Sequence, residues 1–203
     1  SPFALNVCAC IVVIFINKGL STYGGDLEVG AYGIGNKVGF IFVMFCMGVN
    51  QGMQPIVGYN YGARKMDRVR KALYLAMAVA TAITTTGTLV SIFCPEFVCR
   101  LFTTDAALLE RSVYALRINL AVFFVVGFQM VVVNFFQSIG QAKVSIFLSL
   151  SRQLLLLVPM LLIFPRFLGL DGVWLSLPTS DALSAIIAFI VFMTYKNTQL
   201  NGK

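Results

Sequence analysis

The chain has 203 residues, of which 59% are hydrophobic and only 11% charged, and its mean hydropathy is +0.87; this excludes an ordinary soluble domain and marks an integral membrane protein. Its net charge of +7 is gathered in particular connections, so membrane topology explains the basicity and no nucleic-acid partner is called for. With no histidine, no cysteine pair in a zinc-ligand pattern and no paired carboxylates, the composition points to a non-enzyme with no metal or cofactor site.

Apolar runs of about eighteen residues or more, without strand-like alternation, predict an all-α polytopic transmembrane helix bundle of about six spans. The first span covers 3–23 and ends at Asn17, Lys18 and the turn pair Gly24-Gly25. Its start lacks a methionine, a basic flank and a cleavage site, so it reads as a fragment's end and not as a signal peptide. The second span, 30–56, carries Asn36, Lys37, Asn50, Gln51 and Gln54. At about 100° per residue, Asn50 and Gln54 lie within about 40° of Asn36, giving one amide stripe suited to a water-filled substrate pathway. Gly35, Gly39, Gly48 and Gly52 form two small-xxx-small pairs for close helix packing. Pro55 predicts a kink or a broken helix end.

The connection 58–73 holds Arg64, Lys65, Arg68, Arg70 and Lys71 against Asp67, which places it in the cytoplasm as a short amphipathic surface helix. The third span, 74–93, is polar only through threonines that can bond back to their own helix. Asp105 then reads as an N-cap, with Glu110 in the following turns. The fourth span, 113–138, contains Arg117, Asn119, Gln129, Asn134 and Gln137 and presents a second polar face. Gly140 to Lys143 form a tight turn into the fifth span, 144–164, which contains Arg152, Gln153 and Pro159. The sixth, 172–195, has Trp174 at the aromatic belt and Asp181 further in. An even number of spans returns the C-terminus to the cytoplasm. The cysteines read as packing residues.

Lys37, Arg152 and Asp181 are the costly residues, each several residues inside a span. Depth along the axis places Asp181 between the two cations, and predicts that it is the counter-ion of one or both. The alternative role, binding a coupling ion or a cationic substrate, is weaker because a neighbouring cation depresses the carboxylate pKa.

At GVNQGMQPIVGYNYGARKMDRVRKAL the chain resembles the multidrug and toxic compound extrusion (MATE) family, most closely its staphylococcal multidrug-efflux branch. INKGLSTYGGDLEVGAYGIGNKV, FQSIGQAKVSIFLSLSRQ and GLDGVWLSLPTSDALS resemble further helices and turns of that branch in register. The resemblance covers essentially the whole chain and implies the C-terminal six-helix lobe (1–203) of a twelve-helix transporter, with the N-terminal lobe outside this chain. It implies an antiporter that exports bulky, often cationic, lipophilic compounds against protons or sodium ions by alternating access, in a bacterial cytoplasmic membrane, with the lipid bilayer and the N-terminal lobe as partners. The residues it carries over are Asn50, Gln51, Gln54 and Pro55, with Gly58, Asn60, Tyr61, Gly62 and Ala63 at the helix end. Gln129, Asn134 and Gln137 are further cavity candidates. Sodium-coupled members carry acids on helices that have none here in their apolar parts, so the resemblance implies a coupling site in the N-terminal lobe. Two alternatives stay open: a lipid-linked sugar flippase on the same plan, and a non-transporting membrane scaffold whose amides only join helices.

Overall fold

A single residue separates the first two helices. α1 covers Pro2–Gly24 and α2 covers Asp26–Gly62; Gly25 between them has φ +79°, a conformation that residues with a side chain seldom adopt. The computed structural model describes the backbone of residues 2–197, and their side chains apart from those of 2–5, 153 and 154. The C-terminus and the side chain of Gln153 therefore lie outside the described residues.

α2 has 37 residues, about 55 Å of helix. It runs through Pro55 without the predicted break. Pro55 sits on an exposed side of the helix, where one missing ladder bond is tolerated. α3, Met66–Phe93, follows α2 after a tight turn, so the connection forms no separate surface helix. Two features account for this. Val69 and Leu73 are fully buried in the core, which draws the segment's apolar side onto the bundle. The turn is also closed by paired backbone bonds, Arg64 N to Tyr61 O at 3.1 Å and Lys65 N to Asn60 O at 2.8 Å, with Arg64 at φ 59°. That is a Schellman cap with arginine in the left-handed position usually held by glycine. The α6–α7 turn, described below, repeats it with Gly140 at φ +83°: Gly140 N bonds Gln137 O, and Gln141 N bonds Phe136 O.

The fourth span departs most from expectation. After the short α4, Pro95–Arg100, helix α5 starts at Ala106, capped by Asp105, whose carboxylate accepts from Ala107 N and Leu108 N. α5 ends at Asn119 and α6, Phe124–Ser138, continues at an angle of 53°. The break has neither proline nor glycine. Its backbone tightens into i,i+3 bonds, and the Thr84 hydroxyl of α3 stands 3.2 Å from the Phe124 carbonyl oxygen, an intruding polar group of the kind that bends helices. Because α5 and α6 diverge here, the helical-wheel match of Asn119 with Gln137 does not hold.

The fifth span is α7, Ala142–Leu150, a π-helical stretch, Ser151–Leu157, and α8, Val158–Leu168; the sixth is α9, Leu170–Tyr195. Among the described residues there is no strand, and five helical runs are long and apolar enough to cross a membrane, six with the bent α5–α6 pair. The chain is thus an all-α membrane bundle. Its core extends from Val69, Phe135 and Phe192 at the basic end to Ile16, Leu20 and Trp174 at the other. Close crossings depend on Gly127, where a Cβ would stand 2.5 Å from Ala80 O, and Gly172, where it would meet Phe164 O. Of the predicted glycine pairs only Gly35 and Gly39 meet a neighbour, at Asn119 and Leu120; Gly48 and Gly52 face open space.

Candidate functional site

A cavity of about 730 Å³ lies between α1, α2, the α5–α6 break, the π-helical stretch and α9. Its polar lining is Tyr32, Asn36, Lys37, Asn119, Arg152 and Asp181, and apolar walls come from Ile16, Phe40, Phe123 and Leu157. Each polar group arrives by a distinct local device. Asn36 and Lys37 stand on an exposed side of α2. Asn119 is the last residue of α5, where the chain turns away, and its Oδ1 is buried without a partner among the described residues. Arg152 is carried by the π-helical stretch, whose wider turns leave backbone groups mismatched; Ser180 of α9 donates to the Arg152 carbonyl at 3.1 Å.

Arg152 Nε donates to Asp181 Oδ1 at 2.9 Å. Of the two cations expected to share that carboxylate, only Arg152 does. Lys37 has no ion-pair partner among the described residues: it stands on the exposed side of α2, and the one carboxylate lining the cavity is engaged by the guanidinium.

The amide stripe of α2 splits along its length. Asn36 is exposed to the cavity, whereas Asn50 is 2% exposed and neither of its amide atoms has a partner among the described residues. Gln54 Nε2 donates to Asn134 Oδ1 of α6 at 2.6 Å, and Asn134 Nδ2 donates to Met130 O. Gln129 is buried and accepts from the Ser184 hydroxyl of α9 at 3.2 Å. Asn50, Gln54, Gln129 and Asn134 therefore sit at helix contacts and not in this cavity; the stripe is one face of one helix, but α6 covers only its basic half. Gln51 and Gln137 are exposed and outside the cavity lining.

The remaining motif residues shape the end of α2. Gly58 lies against the α6 backbone, a Cβ there standing 3.4 Å from Ser138 O. Asn60 is buried and bonds back to Ile56 O at 2.8 Å, and Tyr61 packs on the core. Gly62 ends the helix and Ala63 N bonds Tyr59 O.

A second polar cluster, which the loop charges concealed, ties the opposite end together. Glu28 of α2 is buried, accepts from Arg111 Nε of α5, and takes the indole N–H of Trp174 of α9 at 3.1 Å. The Arg111 guanidinium lies over the Tyr114 ring, and Tyr114 donates to Asp171 at 2.8 Å. The one sequence signal was Arg111 three residues before Tyr114, on a shared helix face.

The MatE family model matches residues 2–163. The multidrug export protein MepA of Staphylococcus aureus strain N315 is 25% identical over 192 residues, covering 93% of this chain and 41% of MepA. Among solved structures, the MATE multidrug transporter DinF-BH in complex with rhodamine 6G is 37% identical with a TM-score of 0.84, covering 97% of this chain and 44% of that one. An outward-facing MATE transporter of the MOP superfamily is 24% identical, with a TM-score of 0.87 and coverage of 98% and 45%. The chain spans a little under half the length of these relatives.

Proposed function

This chain belongs to the MatE family, and from that premise we propose that it forms one six-helix half of a multidrug efflux transporter. The other half is an N-terminal six-helix lobe, and together they enclose a central cavity opened alternately to each side of a bacterial cytoplasmic membrane. The observation that carries the reading is the cavity of about 730 Å³, a size typical of drug-like ligand sites, with apolar walls and a few amide and charged groups. Mostly apolar walls suit bulky lipophilic compounds of varied shape. The dye bound in the DinF-BH complex supports such a substrate class.

The transport is antiport with protons or sodium ions. In this half Asp181 is engaged with Arg152, so the coupling carboxylate and the charge that meets cationic substrates belong to the N-terminal half. The basic turn with Arg64, Lys65 and Arg68 faces the cytoplasm, as does the C-terminus, following the charge asymmetry of the connections. Efflux of a fluorescent lipophilic cation from cells expressing the two-half protein tests the reading, with the proton and sodium gradients collapsed in turn. Export that stops with one gradient names the coupling ion; no export from protein present in the membrane overturns it.

A further inference from the structure

The charges of the cavity do not balance. Two cations, Lys37 and Arg152, line it together with one carboxylate, Asp181. Asp181 is committed to Arg152 at 2.9 Å, leaving the Lys37 ammonium as net positive charge. Lys37 stands eleven residues along α2 from Asp26, about 16 Å of helix, farther than a lysine side chain reaches back to the helix start by snorkelling. Beside it are two amides, Asn36 on the same helix and Asn119 with a buried, unpartnered Oδ1. A cation held in an apolar-walled space requires an opposite charge or water. No carboxylate of the described residues supplies the former.

We propose that this cavity receives an anionic oxygen-acid group, a carboxylate or sulfonate, against Lys37, with the Asn36 and Asn119 amides beside it. The inference rests on the reading that the chain is half of a two-half transporter. The anion comes either from an amphipathic substrate, which extends the exported compounds to anions and zwitterions, or from a carboxylate of the other half. Both sources present the same chemistry: oxygens that accept charge-assisted hydrogen bonds from the ammonium.

Binding of a naphthalene sulfonate and of its uncharged sulfonamide to the purified two-half protein tests this, in the wild type, Lys37→Gln and Lys37→Arg. If the substrate brings the anion, Lys37→Gln weakens sulfonate binding about ten- to hundredfold relative to the sulfonamide, and Lys37→Arg restores most of it. If the other half brings it, the sulfonate is not preferred. Lys37→Gln then moves the pH midpoint of cation transport upward by about one unit, because removing a neighbouring cation raises a carboxylate pKa, and Lys37→Arg moves it back. Lack of sulfonate preference together with an unmoved midpoint overturns the proposal. The sulfonate measurement needs no gradient, so its result stands apart from whether dye export is seen.

Discussion

At the scale of single residues, the Arg152–Asp181 pair shows what burial makes of a charge. Asp181 retains 15% side-chain exposure and Arg152 37%, so the pair is partly wetted and its worth is below that of a sealed ion pair. We expect Asp181→Asn to lower stability by about 1–3 kcal/mol, chiefly by stranding the guanidinium. The double change Arg152→Met, Asp181→Asn should recover much of this in a double-mutant cycle read by thermal unfolding; additive losses would show that the two groups do not depend on each other. This pair was legible in the sequence because lone charges inside apolar runs must find one another. Glu28 with Arg111 was not: each stands near a polar connection, where solvent is the default partner, and nothing local joins residues 83 positions apart.

At the scale of elements, helix positions were legible and their irregularities were not. Hydropathy marks where an apolar run lies, but whether it bends depends on what crosses it. Pro55 carries the usual mark of a break, yet α2 runs on through it. The 53° bend after Asn119 has no such mark in its own sequence, because part of its cause sits on another helix. The Thr84 oxygen lies within 3.2 Å of the carbonyl oxygens of Ala80, Thr81 and Phe124, with one proton to offer among them. Thr84→Val keeps the shape and removes the hydroxyl. It should cost about 1 kcal/mol in thermal unfolding and increase hydrogen exchange around residues 120–126; unchanged exchange there would mean that packing alone holds the bend. The basic turn departs from expectation for a related reason. Its clustered cations suggested a helix lying on lipid, whereas Arg64 at φ 59° and buried Val69 fold the chain directly into α3.

At the scale of the whole molecule, the amide stripe separates into a wet part and a dry part. With the five native cysteines replaced, Asn36→Cys in the assembled transporter should react readily with a polar thiol reagent. Asn50→Cys, at 2% exposure for the native residue, should react several times more slowly. Equal protection of both would remove the water-accessible path and favour a scaffold. The three amides could be placed on one face from sequence because helical angle is a local property. Which part of that face is covered depends on α6, and helix-to-helix register is not written in a hydropathy profile.

Trp174 is the only tryptophan of the 203 residues. It is fully buried, edge-on to Tyr114, close to Tyr32, and hydrogen-bonded through its indole N–H to Glu28. Helices α2, α5 and α9 thus share one intrinsic chromophore. Any motion that parts α2 from α9 changes the polarity and quenching around that indole. Once tryptophans elsewhere in the transporter are replaced, the emission colour of this residue follows opening and closing in real time without an attached dye.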